Sequence, residues 1–391
     1  MKAVTWQGRR SMVTTDVDDP TIQQDTDAII RITTTAICGS DLHLYEVLGP
    51  FMTKGDVVGH ESMGVVEAVG SAVTRLQVGD RVVVPFNISC GDCYMCRQGL
   101  QSQCETTQVH EYGSGAALFG YSKLYGSVPG GQAELLRVPF ADYGPIKVEG
   151  DFLDEQYLYL SDILPTAWQA VKYADVEQGG SLAVLGLGPV GQLASRIGTV
   201  LGLQVIGVEP VAERRQMAER HGVSTLDLDD DVAEQLQAMT SGRGPDAVID
   251  AVGMEAHGSP VAAFAHKATA LLPDKVAEKA MTTAGLDRLA AIQLGIQAVR
   301  RGGTLSISGV YGGQADPLPL MTMFDKQLQL RMGQCNVRRW TEDLLPYVER
   351  EDDPFGLTDL ATHRLTLDDA PKGYDLFQRK ADGCIKVLLK P

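Results

Sequence analysis

Ser181-Leu182-Ala183-Val184-Leu185-Gly186-Leu187-Gly188-Pro189-Val190-Gly191 is the stretch on which the reading of this chain turns. An apolar run of strand type enters a Gly-x-Gly-x-x-Gly loop, and Gln192-Leu193-Ala194-Ser195-Arg196 continues it as a helix. In that setting Gly186 permits a tight turn, Gly188 lets a pyrophosphate approach the backbone, and Gly191 lets helix and strand pack closely. Pro189 and Val190 open the helix, whose free N–H groups supply partial positive charge to an anion. Taken alone, such glycines serve equally well as a plain loop. The next apolar run, 204–208, ends at Glu209, about twenty residues on, where a carboxylate can accept from both hydroxyls of an adenosine ribose. A 2′-phosphate would meet like charge there, so NAD is expected over NADP. Arg214 and Arg215 stand near enough to soften that preference, and Arg214 is a candidate cofactor contact.

Working outward, further apolar runs at 247–250, 303–308 and 328–330 alternate with helical stretches, as a parallel sheet covered on both faces requires. A Rossmann-type doubly wound α/β domain is expected over residues 166–340. Upstream the pattern differs. Short β-type runs at 28–32, 63–70, 81–85 and 133–138 are separated by glycine, which predicts a partly open β-barrel over residues 1–165. The last segment, 341–391, carries a 365–370 stretch and a closing apolar run at 384–389, and is expected to return to the first domain.

At 391 residues the chain is long enough for two cores. Its 50 acidic against 34 basic residues give a formal charge of −16, which argues against nucleic acid or an anionic membrane as partner. An apolar span of about 18 residues is absent, and Met1-Lys2-Ala3-Val4-Thr5-Trp6 does not read as a secretory signal, so a cytoplasmic protein is expected. The odd count of 7 cysteines fits a reducing compartment.

Four of those cysteines fall in Cys90-x-x-Cys93-x-x-Cys96-x7-Cys104. This spacing matches a closed tetrahedral zinc site, whose role would be structural, and a redox disulfide is the competing reading of either Cys-x-x-Cys pair. A second set is Cys38, His60-Glu61 and Asp162. A thiolate, an imidazole and a carboxylate can hold Zn2+ and leave a fourth position for a substrate oxygen. From spacing alone, Cys38 reads as readily as a buried apolar thiol and His60 as a core histidine.

Cys38-x-x-Asp41, Gly59-His60-Glu61, the four-cysteine lobe, the 186–191 loop and the closing β segment, in that order, resemble the zinc-dependent medium-chain alcohol dehydrogenase superfamily over almost the whole chain. Ser161-Asp162-Ile163-Leu164-Pro165-Thr166, Gly130-Gly131-Gln132-Ala133-Glu134 and extra sequence near 254–285 are similar to its glutathione-independent formaldehyde dehydrogenase group. The resemblance implies a GroES-like barrel as catalytic domain. It also implies two zinc ions per subunit, with Cys38, His60 and Asp162 as the catalytic ligands and Cys90, Cys93, Cys96 and Cys104 as the structural set.

Further roles follow from the same resemblance. Ser40 and His43 correspond to a hydroxyl and imidazole proton relay, although His43 also reads as a surface histidine near a cofactor. Glu61 corresponds to a carboxylate able to approach the metal during ligand exchange, and Asp41 to a group that orients the ligand histidine. The implied reaction is hydride transfer between NAD and a small alcohol, or a small aldehyde as its hydrate, with dismutation open to an enzyme that retains its cofactor. A general alcohol or polyol dehydrogenase is the alternative, and a nicotinamide-binding protein without turnover a more remote one. A homo-oligomer, dimer or tetramer, is implied. The 254–285 region reads as an adenine-side cofactor loop, a surface helix or an oligomer contact. Residues 321–324 and 333–336 read as substrate walls or as ordinary packing and subunit contacts.

Overall fold

Strands with long buried runs build the first unit of this computed structural model, in which residues 1–253, 289–311 and 318–391 are described. This unit comprises Met1–Pro165 and Cys335–Pro391. β1 (Lys2–Gly8) and β2 (Ser11–Asp16) form an antiparallel pair. β3 (Ala28–Ile37) is the spine of the main sheet, pairing antiparallel with β4 (Glu61–Val69) and β6 (Leu135–Val138). β5 (Arg81–Val84) and β7 (Ile146–Lys147) continue outward from β4. On the other side lie β15 (Val387–Lys390) and β14 (His363–Thr366), both from the end of the chain.

Register shifts between β3 and β4, at Ile29/Ile30 and Ile32/Thr34, bend this sheet as bulges do. One buried cluster on it gathers Ile30, Ile32, Val66, Val82 and Leu136. The bend brings the ends of β3 and β4 together with the loops that carry the candidate ligands. The runs predicted at 28–32 and 63–70 prove longer or shifted by about two residues, because pairing with neighbours extends strands past the local pattern.

The second unit, Thr166–Gln334, is the parallel sheet. Its strands are β8 (Ser181–Leu185), β9 (Gln204–Val208), β10 (Ser224–Leu226), β11 (Ala247–Asp250), β12 (Thr304–Ile307) and β13 (Gln329–Met332). All pair parallel, in the order β10-β9-β8-β11-β12-β13. Counting from β8 this is the 3-2-1-4-5-6 doubly wound arrangement, with the switch point between β8 and β11. Ala183, Leu185, Ile206, Val248 and Leu305 sit in its core, which explains the unbroken apolar strands. The expected α/β fold class is therefore what the chain adopts.

At the open edge of this sheet β13 exposes Leu330 and Met332, and helix Leu320–Asp325 exposes Leu320, Met321 and Phe324. No described helix is long and apolar enough to cross a membrane. The 254–285 region read from the sequence lies outside the described residues.

Candidate metal centre and cofactor loop

Cys38 follows β3 and caps helix Gly39–Glu46 with extended backbone dihedrals. The first turn of that helix is locked by Asp41, whose Oδ2 accepts from the Cys38 N–H at 3.0 Å. His60 stands one residue before β4, after Gly59 in the left-handed region (φ +96°). A Cβ on Gly59 would lie 2.3 Å from Gln132 Cγ, so glycine is needed both for the turn and for this close approach. Asp162 follows the short helical turn Tyr159–Ser161.

These segments bring Cys38, His60, Glu61 and Asp162 into one buried cluster, with one ligand atom of each within 4.8 Å of all the others. Cys38 Sγ lies 3.5 Å from Asp162 Oδ2, and His60 Nε2 lies 3.3 Å from the same oxygen. Ser40 Oγ is 3.1 Å from His60 Nε2. His43 is buried one turn further along the same helix, on the face it shares with Ser40.

Without a cation this cluster is electrostatically uncomfortable. Burial, with Asp162 and Glu61 nearby, pushes the Cys38 thiol up to about 12. Burial works against a charged His60, yet Asp41 and Asp162 raise it well above the ordinary histidine value. A divalent ion relieves both strains, because it stabilises thiolate and carboxylates together and takes neutral imidazole as a ligand. The donor set therefore fits zinc.

A second layer of buried groups fixes the first. His60 Nδ1 lies 3.1 Å from Asp41 Oδ1. Gln132 Nε2 donates to Asp41 Oδ2 at 3.1 Å and to Ala36 O at 3.0 Å, and Gln132 Oε1 accepts from Tyr374 Oη at 2.9 Å. Phe86 and Tyr121 turn ring edges toward His60, with centroids 6.3 and 6.2 Å away. Beside Glu61, Lys386 is fully buried, its Nζ 2.5 Å from Glu61 Oε1. Sequence reading singled out neither Lys386, Tyr374, Phe86 nor Tyr121. A lone lysine inside the apolar Cys384-Ile385-Lys386-Val387-Leu388 run was the available signal for the first.

The four cysteines gather separately, among helix Tyr94–Arg97, the short turn Gln101–Gln103 and the loops around them. Cys93 Sγ and Cys104 Sγ are 3.9 Å apart, far beyond a disulfide bond and close to a tetrahedron edge of about 3.8 Å for Zn–S bonds of about 2.3 Å. All seven cysteines are free. Backbone N–H groups of Asp92 and Cys93 point at Cys90 Sγ, and the Thr106 hydroxyl donates to it at 3.2 Å. Although burial opposes it, these donors lower the Cys90 thiol to about 6, readying it as a thiolate ligand. Asn336 binds this lobe, accepting at Oδ1 from the Ser102 N–H and hydroxyl at 3.0 and 2.9 Å. That use accounts for Asn336 as packing. Met321 and Phe324 are exposed.

In the second unit Gly188 caps helix Pro189–Val200, with Pro189 at its first position. Gly186 has φ +82°, and a Cβ on Gly191 would fall 1.8 Å from Gly186 O. Over Gly188, by contrast, the nearest atom to a Cβ would be Arg214 Nη1 at 3.7 Å, which leaves the backbone open to a ligand. Glu209 is buried at the end of β9, its carboxylate accepting from the Leu187 N–H at 2.8 Å and the Val211 N–H at 3.0 Å. It thus ties the glycine loop to the start of helix Ala212–Arg220. Each oxygen retains a lone pair for a ribose hydroxyl. Arg214 Nη1 lies 3.9 Å from Glu209 Oε2, while Arg215 is engaged with Glu209 O and Asp227.

Comparison with known proteins agrees with both units. Residues 24–147 match the family model of the alcohol dehydrogenase GroES-like domain, and residues 189–272 that of zinc-binding dehydrogenases. An uncharacterized zinc-type alcohol dehydrogenase-like protein of Bacillus subtilis is 40% identical over 100% of both chains. A glutathione-independent formaldehyde dehydrogenase of Pseudomonas aeruginosa is 32% identical over 92% of this chain and 89% of its own. Among solved structures, the alcohol dehydrogenase TADH from Thermus sp. ATN1 superposes with a TM-score of 0.82 at 32% identity, covering 100% of this chain and 99% of that one.

Proposed function

The chain belongs to the zinc-type, medium-chain alcohol dehydrogenase family, and from that premise we propose that it transfers hydride between NAD and a small aldehyde, taken as its hydrate, or a small alcohol. The observation that carries the reading is the buried Cys38, His60 and Asp162 cluster with the Ser40 hydroxyl 3.1 Å from His60 Nε2. Cys38, His60 and Asp162 would hold the catalytic ion, and Cys90, Cys93, Cys96 and Cys104 a second, structural one. When bound, the catalytic zinc supplies a Lewis acid for the substrate oxygen.

The protein's own groups do the rest. Asp41, held by the Cys38 N–H and Gln132, orients His60. Ser40 accepts the substrate hydroxyl proton, and His43, one turn along, receives it. Phe86 and Tyr121 crowd the His60 side of the cluster and favour a short carbon skeleton. The glycine loop and helix Pro189–Val200 take the pyrophosphate, and Glu209 the adenosine ribose, which favours NAD. A homo-oligomer is part of this reading.

The formaldehyde-type substrate draws support from the Pseudomonas relative, and a general alcohol substrate equally from the Thermus one, at the same 32% identity. Product-resolved kinetics separates them. With NAD and formaldehyde, formate is expected, with methanol beside it if cofactor is retained. A far larger kcat/KM for a longer alcohol or polyol, with no formate, would leave only the general dehydrogenase.

A further inference from the structure

Among the described residues Lys386 is one of the largest fully buried side chains, and it forms an ion pair with Glu61. Nζ donates to Glu61 Oε1 at 2.5 Å and to Ile37 O at 3.1 Å. The other carboxylate oxygen, Glu61 Oε2, is buried with no hydrogen-bond partner among the described residues. Glu61 also belongs to the 4.8 Å cluster with Cys38, His60 and Asp162. A carboxylate with a free oxygen at that range is a ready fourth ligand, and a fourth protein ligand closes a zinc site to substrate.

Two features of the fold set Lys386 against that outcome. The first is position. Glu61 pairs with Ala36 across β3 and β4, while Val387 pairs with Ile37 across β15 and β3. Lys386 therefore reaches over the end of β3 to Glu61 from a backbone held by the sheet, and the Ile37 carbonyl fixes its ammonium. The second is charge. Ionised Cys38, Glu61 and Asp162 carry three negative charges in a buried volume, of which a divalent ion balances two; Lys386 balances the third. Glu61 thus has a counter-charge of its own without binding the ion, while the fourth buried carboxylate, Asp41, is held by the Cys38 N–H and Gln132.

We propose that Lys386 is a positioning residue that holds Glu61 away from the metal of the Cys38, His60 and Asp162 site, keeping one coordination position open for substrate. The proposal rests on the metal-centre reading above and adds a task for the C-terminal segment. Lys386 is fully buried against Glu61 and Ile37 O, and it acts through Glu61.

The test uses full-length protein with zinc left in the four-cysteine lobe and Co2+ placed in the Cys38 site, titrated with imidazole and followed by visible absorption. Cys38→Ser provides the blank. In the unaltered protein imidazole shifts the cobalt bands. In Lys386→Met the freed Glu61 occupies the open position, so the bands differ before any addition. Imidazole then binds about tenfold or more weakly, and release of Co2+ to a chelator slows by a similar factor. The double variant Lys386→Met/Glu61→Gln, in which both charges are gone, regains the imidazole response and the faster release. Lys386→Gln, which keeps a donor, serves where the methionine variant does not fold, and shifts imidazole affinity in the same direction. Unchanged imidazole affinity and metal release in Lys386→Met or Lys386→Gln would overturn the proposal. So would a weakened response that persists in the double variant, since packing rather than Glu61 would then be the cause. A flat cobalt spectrum in the unaltered protein, identical to Cys38→Ser, is a different result: it removes the metal-centre reading itself.

Discussion

Gln132 shows how far the chemistry of one atom extends at the level of single residues. Its amide nitrogen spends both protons on Ala36 O and Asp41 Oδ2, and its oxygen accepts from Tyr374 Oη, so every polar atom of a buried side chain is used. Gln132→Leu fills the same volume but strips Asp41 of a donor. Metal affinity at the Cys38 site is expected to fall about 10- to 100-fold, the usual range for groups that orient a ligand. Metal-buffered titration with the Cys90 site loaded measures it, and an unchanged affinity would show that Asp41 orients His60 unaided. Glu209 presents a different balance. It holds two backbone N–H groups as well as the expected ribose position, so Glu209→Ala would damage the loop along with the selectivity. Glu209→Gln keeps an acceptor and removes the charge, and should narrow the NAD over NADP preference by about tenfold, the worth of one charge-assisted hydrogen bond. Tighter binding of NADP than NAD by the unaltered protein would instead assign the ribose end to Arg214.

Elements separate the two cysteine-bearing sites. The four-cysteine lobe is built from a single-turn helix, a short turn and loops, with a core of little more than Cys96, Cys104 and Ala116. So small a core cannot hold the lobe together alone, and its bound ion would supply the folding energy. The Cys38 cluster is instead carried by the ends of β3 and β4 on a bulged, well-packed sheet. Cys93→Ser should therefore lower thermal stability and cost one zinc per chain, whereas Asp162→Ala should leave the fold and the Cys90 zinc in place but abolish turnover. Elemental analysis beside calorimetry decides this. Equal destabilisation by both changes would mean that the sheet also depends on its ion.

On the scale of the whole molecule, an apolar edge asks for a partner. Among the described residues β13 ends the parallel sheet, with Leu330 and Met332 exposed, and Leu320, Met321 and Phe324 stand exposed on helix Leu320–Asp325. Long apolar edges of this kind are covered in soluble proteins. A homo-oligomer using this edge is expected, and Phe324→Asp with Met332→Lys should shift sedimentation toward a single chain; an unshifted boundary would place the interface elsewhere. The sequence by itself determined the fold class, because an apolar strand, glycine loop and helix admit few packings, and glycine-punctuated short strands admit few others. It also marked the ligand-type residues, since short-range spacing such as Cys90-x-x-Cys93-x-x-Cys96 is geometry written locally. Only the tertiary structure decided what surrounds them. Asp41, Gln132 and Tyr374 form one chain of hydrogen bonds in which Tyr374 meets Gln132 across 242 residues of sequence, and Lys386 meets Glu61 across 325. Contacts at such separations carry no local period or spacing. They exist because β15 returns to pair with β3, which places the end of the chain against the site near its beginning.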